Sequence, residues 1–268
     1  MKKLTLLTLL FALTCLTISA KDYPDSKFKT IFNGKNFDGW YLKIRSGDDA
    51  LAKRVFAIEN QEVHVYDDSF PQEYELEEPA NNTHGMMYTN KKYSRYIFRF
   101  DYKWGTKISN NFSKLQYDAG FYYHVTDDKI WPKGIEYQIR YDHTKKQNHT
   151  GDYYITRSQN PTWFSDGKNS FLLPKDGGVP TPRRRGLLIA AKSAPHSGLE
   201  GKWESCEIIV MGDKYSIHKL NGEIVNMTTE LGVSEGVIGL QSETAEIYYR
   251  NVRILEFDED VPMEVFLK

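Results

Sequence analysis

The chain has 268 residues, and its 35 Lys and Arg against 36 Asp and Glu give a formal net charge of −1 at pH 7. A domain that binds nucleic acid normally carries a strong positive excess, so this balance argues against a nucleic-acid partner. Aromatic residues make up 14% of the chain and include 18 tyrosines, a composition that favours β-strands.

Residues 1–20 form a predicted signal peptide. They read MKKLTLLTLLFALTCLTISA, with a basic start, an apolar run from Leu4 to Ile18 and a small-residue exit at Ser19-Ala20. The apolar run is short for a bilayer span and is typical of a cleaved secretory signal. We therefore expect a periplasmic or secreted mature chain, residues 21–268, without a transmembrane span.

Lipoprotein anchoring through Cys15 is the alternative fate of this segment. Thr14 precedes Cys15 and further apolar residues follow it, so cleavage at Ala20 fits the pattern better. Cleavage would leave Cys206 as the one cysteine and would exclude an intramolecular disulfide. About 248 residues would remain, enough for one domain with a substantial core.

Strand signals recur along the first hundred residues. FKTIFNGKNFDGWY, residues 28–41, places two apolar runs around the turn-forming pairs Asn-Gly and Asp-Gly. Residues 55–66 alternate, and residues 85–104 read as two strands around a polar turn. No segment sustains the helical spacing of apolar residues, so we predict no long helix.

Two adjoining segments in the middle of the chain place several polar side chains together. They are DAGFYYHV, residues 118–125, and WPKGIEYQIRYDH, residues 131–143. Successive side chains of a strand point to opposite faces, so every second residue shares a face. This alternation groups seven polar residues on one face: Asp118, Tyr122, His124, Glu136, Gln138, Arg140 and Asp142.

The short connection from Thr126 to Lys133 predicts an antiparallel hairpin between these segments. A suitable register would place His124 beside Glu136 and Gln138. A carboxylate, an imidazole and an amide would then meet on one surface. The alternative is that this polar face is only the solvated side of an antiparallel sheet.

The remaining chain alternates between irregular and regular patterns. Residues 160–202 contain five prolines and many glycines, and a connection this long is a candidate rim or lid over a site. Further strands follow within residues 203–257, including a tight hairpin turn at Asn221-Gly222. Without a domain boundary or a repeat, we predict one all-β domain of two antiparallel sheets stacked as a jelly-roll sandwich.

Four motifs together resemble one family of exported bacterial β-proteins. They are FNGKNFDGW (32–40), GIEYQI (134–139), KLNGEIV (219–225) and IGLQ followed by YYRNVRI (238–254), in this order. The family is named for 3-keto-disaccharide hydrolase, or 3-keto-glucoside lyase and hydratase, and the resemblance covers about residues 32–256. It implies a concanavalin-like jelly roll with its site on the concave face, and action on sugars oxidised at the 3-hydroxyl.

The chemistry of such a substrate defines what the site must supply. A ketone at carbon 3 acidifies the proton on carbon 2, so a base can form an enediolate that expels the glycosidic oxygen from carbon 1. Water then adds back to the unsaturated sugar. The site needs a base, an electrophile for the ketone oxygen and an acid for the leaving group.

The resemblance assigns roles to individual residues. Glu136 and Gln138 match the family's Glu-x-Gln, which makes Glu136 the candidate base. His124 stands where the family often has an arginine. It is the candidate acid, or a ligand with Glu136 for a divalent metal ion as cofactor. This chain departs from the family's common pattern at His124, Tyr141 and Glu243.

The other candidate residues would bind substrate. The polar ones are Asp118, Gln138, Arg140, Gln241 and Glu243. Tyr153, Trp163 and Trp131 would supply a stacking platform for a sugar, with burial in the core as the alternative for each.

Three functions follow from these residues. The first is an enzyme that cleaves 3-keto-glycosides by proton abstraction at carbon 2, elimination and hydration. The second is a non-catalytic module that binds glycans. The third is a glycoside hydrolase with two carboxylates, which needs a second acid, Glu243 or Asp118, within roughly 5–10 Å of Glu136. The expected partner in each case is a small-molecule or oligosaccharide ligand.

Overall fold

The computed structural model describes residues 23–74, 82–109, 117–155, 161–168, 170–182, 186–188, 190 and 195–267. The signal peptide predicted for residues 1–20, with Cys15, lies outside these ranges. Within them, no helix has the length and apolar character needed to cross a membrane.

The described residues form nineteen strands, one α-helix and three short 3₁₀ helices. The strands are β1 (Lys29–Thr30), β2 (Trp40–Ile44), β3 (Phe56–Glu59), β4 (Glu62–Val65), β5 (Glu73–Tyr74), β6 (Gly85–Thr89), β7 (Arg95–Ser109), β8 (Asp118–Val125), β9 (Ile135–Asp142), β10 (Gln147–Asn148), β11 (Tyr153–Ile155), β12 (Thr162–Ser165), β13 (Val179–Pro182), β14 (Gly186–Leu188), β15 (Glu204–Met211), β16 (Tyr215–Leu220), β17 (Glu223–Thr229), β18 (Val237–Ser242) and β19 (Ala245–Glu256). The helix α1 spans Asp49–Val55, and the 3₁₀ helices span Asp25–Lys27, Pro174–Asp176 and Met263–Val265.

The strands form two stacked sheets, which confirms the predicted jelly-roll sandwich. The larger sheet has the order β13-β12-β17-β16-β15-β7-β19-β4-β3, with β1 also paired to β19 and β5 to β7. The smaller sheet has the order β14-β11-β9-β8-β18-β6-β2, with β10 also paired to β9. The pairings are antiparallel, apart from the short contact of β5 with β7.

Alternation along the central strands builds the core between the sheets. In β7, Phe98 and Phe100 point inward, and both rings contact Phe121 of β8 in the opposite sheet, with centroids 4.5 and 5.5 Å away. Tyr137 of β9 and Ile208 of β15 are also fully buried in this cluster. Burial of these inward side chains is the main stabilising contribution to the sandwich and leaves the alternate residues on its outer faces.

Residues 160–202, predicted as an irregular rim or lid, contain three strands near the edges of the sheets, of which β13 and β14 are edge strands. β12 and β13 extend the larger sheet beyond β17, and β14 extends the smaller sheet beyond β11. β13 contains Pro180 and Pro182, which an edge strand tolerates because one side of its ladder is unpaired. No described residue of this segment lines the candidate site below.

Candidate active site

A cavity of about 340 Å³ opens on the face of the smaller sheet that is turned away from the core. The residues that line it come from β8, β9, β11, β18 and the loops beside them: Asp118, Tyr122, Trp131, Glu136, Gln138, Arg140, Tyr154, Gln241 and Glu243. Antiparallel pairing of β8 with β9 sets Tyr122 opposite Glu136 and Asp118 opposite Arg140. The predicted hairpin therefore forms, and alternation brings most of its polar face to one cavity.

Glu136 lies at the floor of this cavity with 4% of its surface exposed. The Tyr122 hydroxyl donates a hydrogen bond to Glu136 Oε2 at 2.7 Å. Burial raises the pKa of Glu136 to about 8, and the nearby Glu243 carboxyl adds to this, while the Tyr122 hydrogen bond and Arg140 oppose it. At neutral pH, Glu136 therefore exchanges readily between its acid and base forms.

Gly120 makes room for this carboxyl group. It lies between Asp118 and Tyr122 on the same face of β8, and a Cβ at position 120 would stand 2.3 Å from Glu136 Oε1. Any larger residue would push the Glu136 side chain out of position. The glycine of the Asp-Ala-Gly stretch thus positions the candidate base.

Asp118 and Gln138 form a buried pair beside Glu136. The Gln138 side-chain amide donates to Asp118 Oδ1 at 2.6 Å and to the Ala119 carbonyl at 3.0 Å. Burial raises the pKa of Asp118 well above its usual range, and Glu243 and Glu136 add to this while Arg140 opposes it. The Gln138 side-chain amide is therefore occupied by hydrogen bonds to β8, one of which holds the Asp118 carboxyl group.

Arg140 is the cation that faces the three cavity carboxyls. It lowers the pKa values of Asp118, Glu136 and Glu243, in each case against the larger effect of burial. Its Nε atom is buried and has no hydrogen-bond partner within the described residues. A buried donor without a partner is costly, so this atom is suited to an acceptor on a ligand.

Gln241 and Glu243 complete the polar wall from the β18 side. Gln241 is 1% exposed, and its Oε1 atom finds no partner among the described residues. Glu243 is partly exposed at the cavity, and burial raises its pKa to about 7 while Arg140 opposes the shift. The cavity thus holds two carboxyl groups, Glu136 and Glu243, that titrate near neutrality.

Two aromatic rings line the cavity and remain open to solvent. Trp131 is 44% exposed and Tyr154 is 38% exposed. Trp131 precedes β9, and its ring lies beneath the Arg45 guanidinium at 5.2 Å. Tyr154 of β11 pairs in register with Glu136. Exposed, anchored rings beside a polar floor are suited to stacking on a sugar face.

His124 does not lie beside Glu136, contrary to the sequence prediction. The β8 and β18 ladder shifts register, pairing Val125 with Val237 but Tyr122 with Gly239, and His124 adopts a positive φ of 51°. The extra residue of this bulge reverses the alternation, so Val125 rather than His124 takes the cavity side.

The His124 imidazole is instead buried against the larger sheet. Its Nε2 atom lies 2.8 Å from the Gly212 carbonyl, to which it donates. Burial lowers the pKa of His124 to about 4, so the ring is neutral at physiological pH. The prediction of His124 as acid or metal ligand in this site is therefore wrong.

Tyr153 and Trp163 are also away from the cavity, so the predicted stacking platform was wrong for both. Tyr153 stacks on His218 inside the sandwich with ring centroids 3.6 Å apart, and its hydroxyl donates to the Ser216 carbonyl. Trp163 is fully buried and donates from Nε1 to Asn226 at 2.8 Å. Of the three predicted rings, Trp131 alone lines the cavity.

The proposed pairing of His124 with Glu136 around a divalent metal does not fit this arrangement, because the two side chains lie on different sides of the smaller sheet. Across the ranges that the structure describes, no group of three or more His, Cys, Asp or Glu residues is placed to hold a metal ion. We therefore assign no step of the chemistry to a metal.

Two cavity residues had no role in the sequence prediction. Tyr122 belonged to the predicted polar face, but its hydrogen bond to Glu136 depends on the β8 and β9 register. Tyr154 follows Tyr153, and alternation shows only that the two rings face opposite sides. Which of the two faces the cavity depends on the pairing of β11 with β9.

Comparisons with known proteins agree with this fold. A family model described as the 3-keto-alpha-glucoside-1,2-lyase-like domain matches residues 27–255. Among solved structures, one from Parabacteroides distasonis ATCC 8503, provisionally described as a glycosyl hydrolase, is 21% identical with a TM-score of 0.51 and covers 87% of this chain and 95% of its own. A second, with the same provisional description and source, is 18% identical with a TM-score of 0.51 and covers 86% and 100%. No curated protein matches the chain.

Proposed function

The chain belongs to the 3-keto-alpha-glucoside-1,2-lyase-like family and is carbohydrate-active, and we propose that it cleaves 3-keto-glycosides by elimination followed by hydration. The observation that carries this proposal is the Glu136 carboxyl, buried in a sugar-sized cavity, with a pKa raised to about 8. A base whose pKa lies near the working pH combines a useful ionised fraction with a strong affinity for the proton.

Glu136 acts as the base for the proton on carbon 2. The ketone at carbon 3 takes up the electron pair of the broken C–H bond as an enediolate, and the proton passes to the Glu136 carboxylate. Tyr122 holds that carboxylate by its 2.7 Å hydrogen bond and limits its rotation. Gly120 lets the carboxyl lie close over β8.

Arg140 stabilises the negative charge that develops on the oxygen of carbon 3. Its buried Nε donor has no partner of its own among the described residues, so no existing hydrogen bond must break when substrate arrives. A cation that is already held in position stabilises a developing oxyanion strongly. Gln241, with its unpartnered buried side-chain oxygen, accepts a hydrogen bond from a neighbouring sugar hydroxyl.

Glu243 replaces His124 as the acid. Its pKa is raised to about 7, so a large fraction is protonated at neutral pH. As the enediolate collapses, a double bond forms between carbons 1 and 2 and the bond from carbon 1 to the glycosidic oxygen breaks. Glu243 gives its proton to the leaving oxygen. Water then adds to carbon 1 and gives its second proton to the Glu243 carboxylate, while Glu136 returns its proton to carbon 2, which yields the free 3-keto sugar.

A second candidate function has its own supporting observation. Glu136 and Glu243 are two carboxyl groups with raised pKa values in one cavity. Glycoside hydrolases use such a pair of carboxyl groups as their acid and base. Such an enzyme would cleave the unoxidised glycoside. A binding module without activity would retain the stacking rings Trp131 and Tyr154 but turn over neither substrate.

Incubation with a 3-keto-glucoside and with its unoxidised parent separates these functions. The proposal requires turnover of the keto form alone. Turnover of the parent would favour the two-carboxylate hydrolase, and binding of either sugar without turnover would favour a glycan-binding module. A parallel reaction with a chelator tests the assignment of every step to protein side chains, because an activity lost on chelation and restored by a divalent cation would contradict it.

We also propose that residues 1–20 direct the chain to the periplasm or the medium. The basic start, apolar run and small-residue exit of this segment support export. The mass of the mature protein tests the idea. Cleavage after Ala20 gives a chain that begins at Lys21, whereas a lipid-modified Cys15 at the new N-terminus would show anchoring instead.

A further inference from the structure

A second recess lies where the larger sheet is interrupted. β1 and β4 both pair with β19, but at different places, and β19 bulges between Arg250 and Arg253. The space left between the end of β1, the β3–β4 turn and this bulge is a cavity of about 370 Å³. It shares no lining residue with the cavity around Glu136.

A neighbouring cavity continues the recess. It measures about 380 Å³ and lies on the other side of residues 30–33, towards Trp40 and Tyr93. The two cavities share Thr30 and Asn33 in their linings, so they adjoin along one short segment. We call this pair of cavities the Asn33 groove. Each part has the volume of a small ligand pocket, and together they accommodate an extended ligand.

The first cavity of the Asn33 groove is rich in side-chain amides. Four of them line it: Asn33, Asn60, Gln61 and Asn251. Asn33 and Asn251 are held in place by hydrogen bonds to Asn36 and Asp101, so the turn residues Asn60 and Gln61 are the amides that a ligand would meet first. Arg253 adds a buried Nε donor that has no partner in the described part of the chain. Amides carry both donors and acceptors, as a hydroxyl-rich ligand requires.

Most charged side chains of this groove are already paired, and the two others, Lys29 and Asp38, have opposite signs. Arg250 Nη1 lies 3.6 Å from Glu62, and its Nε donates to Asp101 at 3.4 Å. Arg253 Nη1 lies 3.1 Å from Asp25. At the other end, Lys91 Nζ donates to both oxygens of Glu256. An anion would meet little excess positive charge, so the groove favours an uncharged polar ligand.

The β3–β4 turn holds its two central residues in a conformation that usually selects glycine. Asn60 and Gln61 have φ values of 50° and 66°. Asn tolerates this region, but glutamine is strained there by about 1–2 kcal/mol. Strain of this kind is often found where a side chain serves a function. Gln61 lines the cavity, and Gly34 approaches it so closely that a Cβ at position 34 would stand 2.7 Å from Gln61 Cβ.

We propose that the Asn33 groove is a second, non-catalytic site that binds an uncharged oligosaccharide. The adjoining cavities, the four amides, the paired charges and the strained backbone at Gln61 together support a polyhydroxylated, extended and neutral ligand. Such a site would hold a glycan chain on the larger sheet while the cavity of the smaller sheet acts on a separate sugar.

The test uses isothermal titration of the full chain with maltotriose, cellotriose, laminaritriose and inorganic sulfate. Gln61→Gly removes the amide from the groove and relieves the positive φ, so the variant is expected to be at least as stable as the wild type. Lys146→Gly is the matched control, since Lys146 is exposed, has a φ of 51° and lies away from the groove.

We expect at least one trisaccharide to bind the wild type and Lys146→Gly with equal Kd, and to bind Gln61→Gly about five-fold more weakly, the effect of one or two lost neutral hydrogen bonds. Turnover of a 3-keto-glucoside should be the same in all three proteins, which separates this site from the proposed activity. The proposal is overturned if no trisaccharide binds, if Gln61→Gly binds as tightly as the wild type, or if sulfate binds and the sugars do not.

Discussion

Glu136 and Glu246 are both buried carboxyls on the outward faces of the two sheets, yet their pKa values shift in opposite directions. Glu136 is 4% exposed and Glu246 is 3% exposed. Burial raises the pKa of Glu136 to about 8. The pKa of Glu246 falls well below its usual range, because hydrogen bonds to its charged form outweigh the effect of burial.

The difference lies in the hydrogen bonds that each carboxyl accepts. Glu136 accepts one from Tyr122. Glu246 accepts from His64 at 2.7 Å, from the backbone amides of Thr106 and Lys107 at 2.6 and 3.0 Å, and from the Lys107 and Tyr248 side chains. A carboxylate saturated with donors is a structural anion, whereas a buried one with few donors remains reactive.

The largest effect is expected from Glu136→Gln. This substitution keeps the shape of the side chain but removes the base, so kcat for a 3-keto-glucoside should fall about 10²- to 10⁴-fold. Steady-state kinetics measure the loss. Wild-type rates in this variant would remove Glu136 from the mechanism.

The same variant should become more stable relative to the wild type as pH rises. Because the folded-state pKa of Glu136 is raised, the wild type keeps a proton that the unfolded chain loses above about pH 4.5, and its stability declines between there and pH 8. Urea unfolding at pH 5 and pH 8 should therefore show the variant more stable than the wild type, chiefly at pH 8. An equal difference at both pH values would contradict the raised pKa.

The next largest effect is expected from Glu246→Gln, on stability and not on activity. Removing the charge takes away the buried carboxylate that His64 and Lys107 share and leaves each with one exposed partner, Glu59 and Asp68 respectively. The free energy of unfolding at pH 7 should therefore fall by about 2–4 kcal/mol. The depressed pKa of Glu246 means that its contribution is present above about pH 4.5 and is lost as pH falls. Unfolding curves at pH 7 and pH 3 should show a larger deficit at pH 7. A loss of kcat in the folded variant would contradict the purely structural role of Glu246.

A smaller effect is expected from Tyr122→Phe. The Tyr122 hydrogen bond lowers the pKa of Glu136, so its removal should raise that pKa further. The acidic limb of the pH profile of kcat/KM should then move towards higher pH. The wild-type profile should be bell-shaped around pH 7 to 8, and kcat/KM at pH 7 should fall about ten-fold in the variant. An unchanged acidic limb would show that Glu136 does not set it.

The smallest effect on rate is expected from His124→Asn. Asparagine tolerates the positive φ at this position, and the ring that it replaces contacts the Gly212 carbonyl and not the cavity. Measured well below the melting temperature, kcat and KM should equal those of the wild type. A loss of kcat comparable to that of Glu136→Gln would return His124 to the site.

The sequence predicted the sandwich and much of the site because both depend on strand alternation. Regular pairing of β8 with β9 places Asp118, Glu136, Gln138 and Arg140 on one face, as the alternation alone predicts. The motif that resembled the family also contains Gln241 and lies near Glu243, and both line the cavity.

The prediction failed where strict alternation along a strand does not decide which face a side chain takes. One bulge in β8 separates Val125 from Tyr122 by one residue more than their partners on β18, and this reversed the position of His124. The two tyrosines of β11 could not be told apart from the sequence for a different reason. Tyr153 and Tyr154 are adjacent and chemically alike, and only the long-range pairing of β11 with β9 decides which one is buried.

The most direct test of the account follows the proton on carbon 2. A 3-keto-glucoside deuterated at carbon 2 is incubated with the wild type and with Glu136→Gln in ordinary water, and the products are examined by NMR. The account predicts that the wild type cleaves the deuterated sugar measurably more slowly than the protiated sugar, because the bond from carbon 2 to its hydrogen breaks during the reaction, and that Glu136→Gln cleaves both at least about 10²-fold more slowly. Equal wild-type rates with the two sugars would contradict it.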